Sequence, residues 1–250
     1  STTDGVESPV SLCWTCRRHW ETVMLAPHNR TQLLEALRPP AGYRLTDAIA
    51  TTYSLDLLAL LVAPVGFTSF ELQDSDGPII GDGDVLMLLR TIRRHASKMT
   101  VFCQAGQIAG APTHARLLTA LEPCVVEVSA PLGGVFHPKV WVLRYVVGVP
   151  ESATPDGDEE AENATGIRYR VLVSTRNLTF DRSWDTLLTL DGELADRSRA
   201  FAANRPLADF VAALPTLATR PPVLLAAASR AARLADELRR VEFESPFGFE

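Results

Sequence analysis

The chain has 250 residues, of which 46% are hydrophobic, and a formal net charge of −6 at pH 7. This length and composition suffice for a full hydrophobic core. No apolar stretch reaches the about 18 residues of a membrane span, and residues 55–65, interrupted by Asp56, predict a buried helix instead. Residues 150–162 contain six acidic residues and no basic ones, which equals the whole formal charge. Overall acidity therefore does not exclude a nucleic-acid partner.

The first half of the chain alternates predicted helices and strands. In chain order, the patterns indicate a short helix over residues 32–37, a strand over 43–52, a mainly helical stretch over 55–70, a helix over 85–95, and strands over 99–103 and 124–128 separated by a helix over 113–121. From Glu193 onward, alanine, leucine and arginine predict two helices, broken near residues 220–222. Alternation of this kind predicts an α/β fold with a mixed but largely parallel sheet covered by helices.

A histidine and a lysine two residues apart open a strand-like run of β-branched and aromatic residues. His137 and Lys139 precede residues 140–147, and Lys139 is one of only two lysines beside 22 arginines. Residues two apart on a strand point to the same face, so both side chains are expected to project together. Across a predicted hairpin, a second strand over residues 168–173 runs into a polar turn that contains Asn177.

These residues resemble the half-site of the phospholipase D superfamily, in which a His-x-Lys on one strand is followed by a Ser/Thr-rich turn ending in Asn on the next. His137, Lys139 and Asn177 match, whereas Arg144 stands where many members have an aspartate. The chain is therefore most similar to the His-Lys-Asn subset, which includes tyrosyl-DNA phosphodiesterases and the nuclease domains of some metal-independent restriction enzymes. The resemblance covers about residues 130–192, including the Trp-Asp pair that ends at Asp185.

The resemblance implies covalent catalysis without a metal or other cofactor. His137 is the expected nucleophile, because a free imidazole is mostly neutral at pH 7. Lys139 and the amide of Asn177 are expected to bind the phosphate oxygens, and Asp185 to accept the other N–H of the imidazole. The expected substrate-binding residues complete the turn and are Ser174, Thr175 and Arg176.

The second half-site of the superfamily is missing, because none of the other four histidines has a lysine two residues on. It has to come from a homodimer mate, a partner subunit or a missing C-terminal half. The aromatic-rich residues 241–250 favour a fragment of a longer enzyme or a subunit with an obligate partner. We expect a leader or irregular segment over 1–23, a phospholipase D-like domain over 24–192 with a disordered acidic insertion at 150–165, and a C-terminal helical segment over 193–250.

Several features have competing interpretations. His137 and Lys139 are also consistent with a core histidine and a lysine that reaches to solvent. Cys13, Cys16 and His19 have the spacing of half a zinc site but no complete ligand set. Aspartates between residues 74 and 84 are interpreted as turn residues, since the glutamate of a calcium loop is absent. Five arginines around the motif strands either hold a polyanion or lie on a solvated face: Arg144, Arg168, Arg170, Arg176 and Arg182.

The sequence favours a metal-independent phosphodiesterase, and within that class a nuclease acting on DNA. Nothing in the sequence resembles a secretory signal, so a cytoplasmic location is expected. A bacterial defence or repair setting follows by analogy alone. A phospholipid is the alternative substrate, although no basic amphipathic helix is evident. A catalytically silent module that binds nucleic acid or a partner is the alternative from another class. No membrane partner is expected.

Overall fold

The computed structural model describes residues 32–68, 90, 92–109, 116–148, 166–180, 185–220 and 225–246. Contacts within the chain separate residues 1–32 from residues 33–250, and the second unit is the one described below. Several predictions lie outside the described residues: the leader, the Cys13, Cys16 and His19 spacing, the aspartates of residues 74–84, the acidic insertion and Arg182.

The helices and strands follow one another in this order: α1 (Leu33–Ala36), β1 (Tyr43–Thr52), β2 (Leu55–Asp56), α2 (Leu57–Leu60), α3 (Val62–Thr68), α4 (92–96), β3 (Met99–Gln104), β4 (Ile108–Ala109), α5 (Arg116–Thr119), β5 (Val125–Val128), β6 (Val140–Val147), β7 (Ile167–Ser174), β8 (Leu187–Leu194), α6 (Arg205–Ala213), α7 (Leu225–Leu238) and β9 (Val241–Phe243). Short 3-10 turns occur at Glu122–Cys124, Pro131–Gly133, Ala202–Asn204 and Leu214–Leu217. Among the helices described, none is long and apolar enough to cross a membrane.

Seven strands form one sheet in the order β5-β3-β1-β6-β7-β8-β9. The α/β class is confirmed, but the expected predominance of parallel pairing is wrong. Only β5–β3 and β3–β1 are parallel, whereas the four pairings from β1–β6 to β8–β9 are antiparallel. Strand and helix alternate up to β5, as in parallel sheets, but β6, β7 and β8 lie side by side in chain order, so each reverses the direction of the one before.

Both faces of the sheet are covered, which gives a three-layer structure. Along β1, Ala48 and Ala50 belong to one core with the helices α1 to α4, while Ile49 belongs to a second core with α6 and α7. This alternation follows from the two-residue period of a strand. The central strands are therefore buried on both faces, and their ends are the parts available for chemistry.

Most elements of the first half agree with the sequence. The strand predicted over 43–52 is β1, and the strands predicted over 99–103 and 124–128 correspond to β3 and β5 within one residue. The two C-terminal helices are α6 and α7. The sequence did not indicate β8, a strand whose residues are mostly only half-buried. Such a strand lacks the strong apolar alternation by which strands are recognised.

A buried ion pair joins the sheet to α7. Nε of Arg144 lies 2.8 Å from Oε2 of Glu237, and their side chains are only 7% and 13% exposed. The hydroxyl of Tyr169 on β7 donates to the same carboxylate at 2.7 Å. Arg144 therefore holds the helix on the sheet, and neither a polyanion contact nor a solvated face describes this buried side chain.

Two further arginines of the expected polyanion cluster are also paired. Nε of Arg168 donates to Glu193 at 3.0 Å, and Nε of Arg170 donates to Asp191 at 2.6 Å. Arg170 also donates from Nη1 to the carbonyl of Ala36 at 3.0 Å. These pairs connect β7 to β8 and to α1, and the pair of Arg168 lies at the surface.

Neutralising the glutamate of the buried pair and that of the exposed pair should lower the free energy of unfolding by different amounts. Glu237→Gln leaves the buried guanidinium of Arg144 without its counter-charge and is expected to lower the free energy of unfolding by about 3 kcal/mol. Glu193→Gln, which affects a pair whose side chains are 42% and 63% exposed, is expected to cost less than about 1 kcal/mol. Urea unfolding of both variants measures the difference. Equal losses would contradict the structural role of the buried pair.

Candidate active site

The predicted site residues meet at one edge of the sheet. β1, β3 and β7 end at this edge, and β6 and β8, which run in the opposite direction, begin there. Tyr53 and Gln104 lie at the ends of β1 and β3, while Lys139 immediately precedes β6. Asn177 follows β7 and Asp185 precedes β8. Sites of α/β proteins commonly form at strand ends of this kind.

His137 and Lys139 lie together in front of β6. The strand begins at Val140, but the carbonyl of Lys139 accepts a hydrogen bond from the backbone N–H of Ser174 at 3.0 Å, so the pairing with β7 extends to the motif. Nζ of Lys139 lies 3.0 Å from Nδ1 and 3.2 Å from Nε2 of His137. His137 is exposed, whereas Lys139 is only 9% exposed. The structure therefore joins an accessible imidazole to a largely desolvated ammonium group.

Asn177 is held by the end of β1. Its Oδ1 accepts a hydrogen bond from the backbone N–H of Tyr53 at 3.3 Å. The next residue is fixed as well, because the N–H of Leu178 donates to Oγ1 of Thr52 at 3.1 Å. Because Oδ1 of Asn177 faces the end of β1, the Nδ2 group of the same amide points away from it. None of the hydrogen bonds among the described residues uses Nδ2, which leaves a donor for a bound oxyanion.

The other residues of the turn hold one another. The hydroxyl of Ser174 donates to the carbonyl of Arg176 at 3.0 Å, and Nη2 of Arg176 donates to the carbonyl of Thr179 at 3.0 Å. Thr175 donates from its backbone N–H to Oδ1 of Asp185 at 2.9 Å, and its hydroxyl donates to the same oxygen. Ser174, Thr175 and Arg176 thus shape the turn, and direct contact of these residues with substrate stays a prediction.

Asp185 has a contact different from the one expected. Instead of the imidazole of His137, the described hydrogen bonds of its carboxylate are to Thr175. Its charge nevertheless acts on the site. Burial lowers the pKa of the Lys139 ammonium below its ordinary value, and the negative charge of Asp185 partly opposes this by raising it. Asp185 therefore closes the turn and supports the charged form of Lys139.

Two residues of this edge were missed by the sequence analysis. Tyr53 packs its ring against the imidazole of His137, with ring centroids 5.1 Å apart and planes at 44°. Gln104 accepts a hydrogen bond from the backbone N–H of Phe136 at 2.8 Å, so it fixes the chain just before the histidine. Both lie at the ends of strands that the sequence did predict. Polar and aromatic residues at strand ends are the signal that would have found them.

The described part of the chain contains no cluster of three or more His, Cys, Asp or Glu side chains arranged to hold a metal ion. The side chain of Arg144 is hydrogen-bonded to Glu237 and takes no part in the site.

No protein-family model and no curated protein matches the chain. Among solved structures, the fold is similar to a mutant form of yeast tyrosyl-DNA phosphodiesterase 1, with a TM-score of 0.46, 11% sequence identity, and coverage of 82% of this chain and 37% of that chain. The unmutated yeast enzyme gives a TM-score of 0.44, 11% identity, and coverage of 83% and 37%. This chain thus spans little more than a third of the length of those proteins. The likeness concerns the arrangement of the chain alone, and membership of the phospholipase D superfamily stays a prediction from the motif.

The orientation of the Asn177 amide predicts how kcat/KM responds when its Nδ2 group is replaced by an oxygen. Asn177→Asp keeps an acceptor for the N–H of Tyr53 but replaces Nδ2 by an oxygen that repels a phosphate. We expect kcat/KM for phosphodiester cleavage to fall about 10²- to 10³-fold, as on loss of one oxyanion donor. The melting temperature, measured on the same samples, should change little. Retained activity in a folded variant would show that Nδ2 does not bind the substrate.

The charge of Asp185 predicts a shift in the pH profile. Because this charge raises the pKa of Lys139, its removal in Asp185→Asn lets the pKa fall further below the ordinary value. Lys139 then loses its proton at lower pH, so the alkaline limb of kcat/KM should move to lower pH. Asp209→Asn, which changes an exposed carboxylate paired with Arg239, is the matched control and should leave the limb in place. A shift to higher pH in Asp185→Asn would contradict this electrostatic assignment.

Proposed function

We propose that the chain is a phosphodiesterase that works without a metal ion and acts on DNA as a nuclease, with His137 as the nucleophile. The observation that carries the proposal is the joint placement of three groups at one sheet edge. An exposed imidazole lies 3.0 Å from a desolvated ammonium group, and the amide of Asn177 is held in one orientation beside the same strands. A nucleophile with two donors for phosphate oxygens is what attack on a phosphodiester requires. DNA as the substrate follows from the motif's resemblance.

The reaction proceeds in two displacements. A ring nitrogen of His137 donates its lone pair to phosphorus, and the bond from phosphorus to the leaving oxygen breaks, which gives a phosphohistidine. Water then attacks phosphorus and gives one proton back to the group that protonated the leaving oxygen, the phosphorus–nitrogen bond breaks, and the imidazole is restored. Lys139 and Nδ2 of Asn177 donate to the non-bridging oxygens, where negative charge increases in the transition state.

The contact between Lys139 and His137 suits the first step. The ammonium group lies against the ring, with Nζ 3.0 Å from Nδ1 and 3.2 Å from Nε2. When a phosphate oxygen binds next to the imidazole, it accepts a hydrogen bond from Lys139. One ammonium group thus contacts the nucleophile at rest and binds the substrate during the reaction.

The proton for the leaving oxygen has to come from outside the described site. The other described histidine, His95, is only 2% exposed and packs against Phe67 in the core. Burial lowers the pKa of His95 to about 3, so it has no proton to give at neutral pH. We propose that the acid is a second histidine from a homodimer mate, a partner subunit or a further half of a longer polypeptide.

Cleavage of labelled single- and double-stranded DNA in the presence of EDTA tests the proposal. If a homodimer supplies the second histidine, wild type should cleave DNA, His137→Ala should be inactive, and Lys139→Ala should lose about 10²- to 10³-fold in kcat/KM. Lys98→Ala changes the chain's only other lysine and is the matched control, which should retain activity. Light scattering on the same samples gives the molar mass, and an active dimer would identify the source of the second histidine.

Two results would contradict the proposal. Activity of wild type that EDTA abolishes would show that a metal ion takes part. Cleavage by His137→Ala at the wild-type rate would show that this histidine is not the nucleophile. DNA binding that persists in all variants without any cleavage would favour the catalytically silent module.

A further inference from the structure

The nucleophile of the proposed reaction has few restraints. His137 is exposed and stands before β6 in a stretch without regular secondary structure. Among the described residues, its ring contacts are those with Nζ of Lys139 and with the ring of Tyr53. Lys139 has to transfer its hydrogen bond to the substrate during the reaction. A second group is therefore needed to keep the imidazole aimed at phosphorus.

The main chain of Tyr53 is fixed on both sides. Its N–H donates to Oδ1 of Asn177 at 3.3 Å, and its carbonyl accepts from Sγ of the buried Cys103 at 3.4 Å. The preceding residue, Thr52, donates from Oγ1 to the carbonyl of Ser54 at 2.8 Å and closes the turn after β1. The backbone of Tyr53 is therefore held firmly at the end of the sheet, and this restricts where its ring can lie.

This rigid ring lies against the imidazole. A centroid separation of 5.1 Å with planes at 44° is within the range of aromatic pairs in proteins. The imidazole thus contacts both an aromatic ring and Nζ of Lys139. Tyr53 contacts the nucleophile through its side chain and the phosphate-binding amide of Asn177 through its backbone.

We propose that Tyr53 is a positioning residue that sets the direction of the His137 imidazole relative to Asn177. The inference rests on the proposed function, since it concerns the same site. Ring contact, and not the phenolic hydroxyl, performs this role. Tyr53→Phe is therefore expected to behave like wild type, whereas Tyr53→Leu should let the imidazole leave its productive orientation. Small displacements of a reacting group are enough to slow an enzyme strongly.

The first measurement needs neither substrate nor a second half-site. In proton NMR spectra, the ring current of Tyr53 should displace the imidazole resonances of His137, which His137→Gln identifies by their loss. Tyr53→Phe should keep the displacement and Tyr53→Leu should abolish it. Tyr43→Leu, at the opposite end of β1, is the matched control and should leave these resonances unchanged. Cross-relaxation between the two rings in wild type gives the same information even if a variant fails to fold.

The second measurement uses the p-nitrophenyl ester of thymidine 5′-phosphate as a chromogenic phosphodiester. Tyr53→Leu should lower kcat about tenfold with little change in KM, because the amide of Asn177 and Lys139 still bind the phosphate, and Tyr53→Phe should restore kcat. The inference would be overturned if Tyr53→Leu kept both the wild-type imidazole resonances and the wild-type kcat. Absence of cross-relaxation between the two rings in wild type would overturn it as well. Loss of kcat in Tyr53→Phe would also overturn it, since the hydroxyl would then be catalytic. Inactive wild type with the displaced resonances would instead contradict the proposed function and leave the placement of Tyr53 supported.

Discussion

Three consecutive residues at the end of β1 hold the candidate site together. Oγ1 of Thr51 accepts from the backbone N–H of Val140 at 2.9 Å, which fixes the start of β6 beside the motif. Oγ1 of Thr52 accepts from Leu178, and the N–H of Tyr53 donates to Asn177. Thus one buried central strand positions both halves of a motif that are about 40 residues apart in the chain. Without these contacts, the two motif strands would still pair, but the turn and the nucleophile would be free to move.

The two basic residue types have different tasks in this chain. The arginines described on β6 and β7 use their planar fork to bind carboxylates with two nitrogens, as Arg170 does with Asp191. The pairs of Arg168 and Arg170 connect neighbouring strands, and that of Arg144 joins a helix to the sheet. Lys139 has a compact charge, lies largely buried at the site, and contacts an imidazole instead of a carboxylate. One of the chain's two lysines thus lies at the candidate site, where we propose that its compact charge binds a phosphate oxygen.

The sequence predicted the local parts of this structure and missed those that depend on distant pairing. β1 was predictable from its β-branched and aromatic residues despite one aspartate and two alanines, and His137, Lys139 and Asn177 form a recognisable motif next to two strong strands. The hairpin of β6 and β7 was predicted, but its extension by β8 was not, because β8 is only half-buried and its pattern is weak. The role of Arg144 depends on Glu237, and that of Tyr53 on Asn177, residues separated by 93 and 124 positions. No local pattern encodes such partners.

The covalent intermediate is the most direct test of the account. After rapid denaturation of a reaction with labelled DNA, wild type should retain label in a bond that is stable in alkali and labile in acid, as expected for a phosphoramidate. Peptide mapping should place this label on His137. Label on another residue, or steady cleavage with no trapped adduct under conditions that slow the second displacement, would contradict the assignment of His137 as the nucleophile.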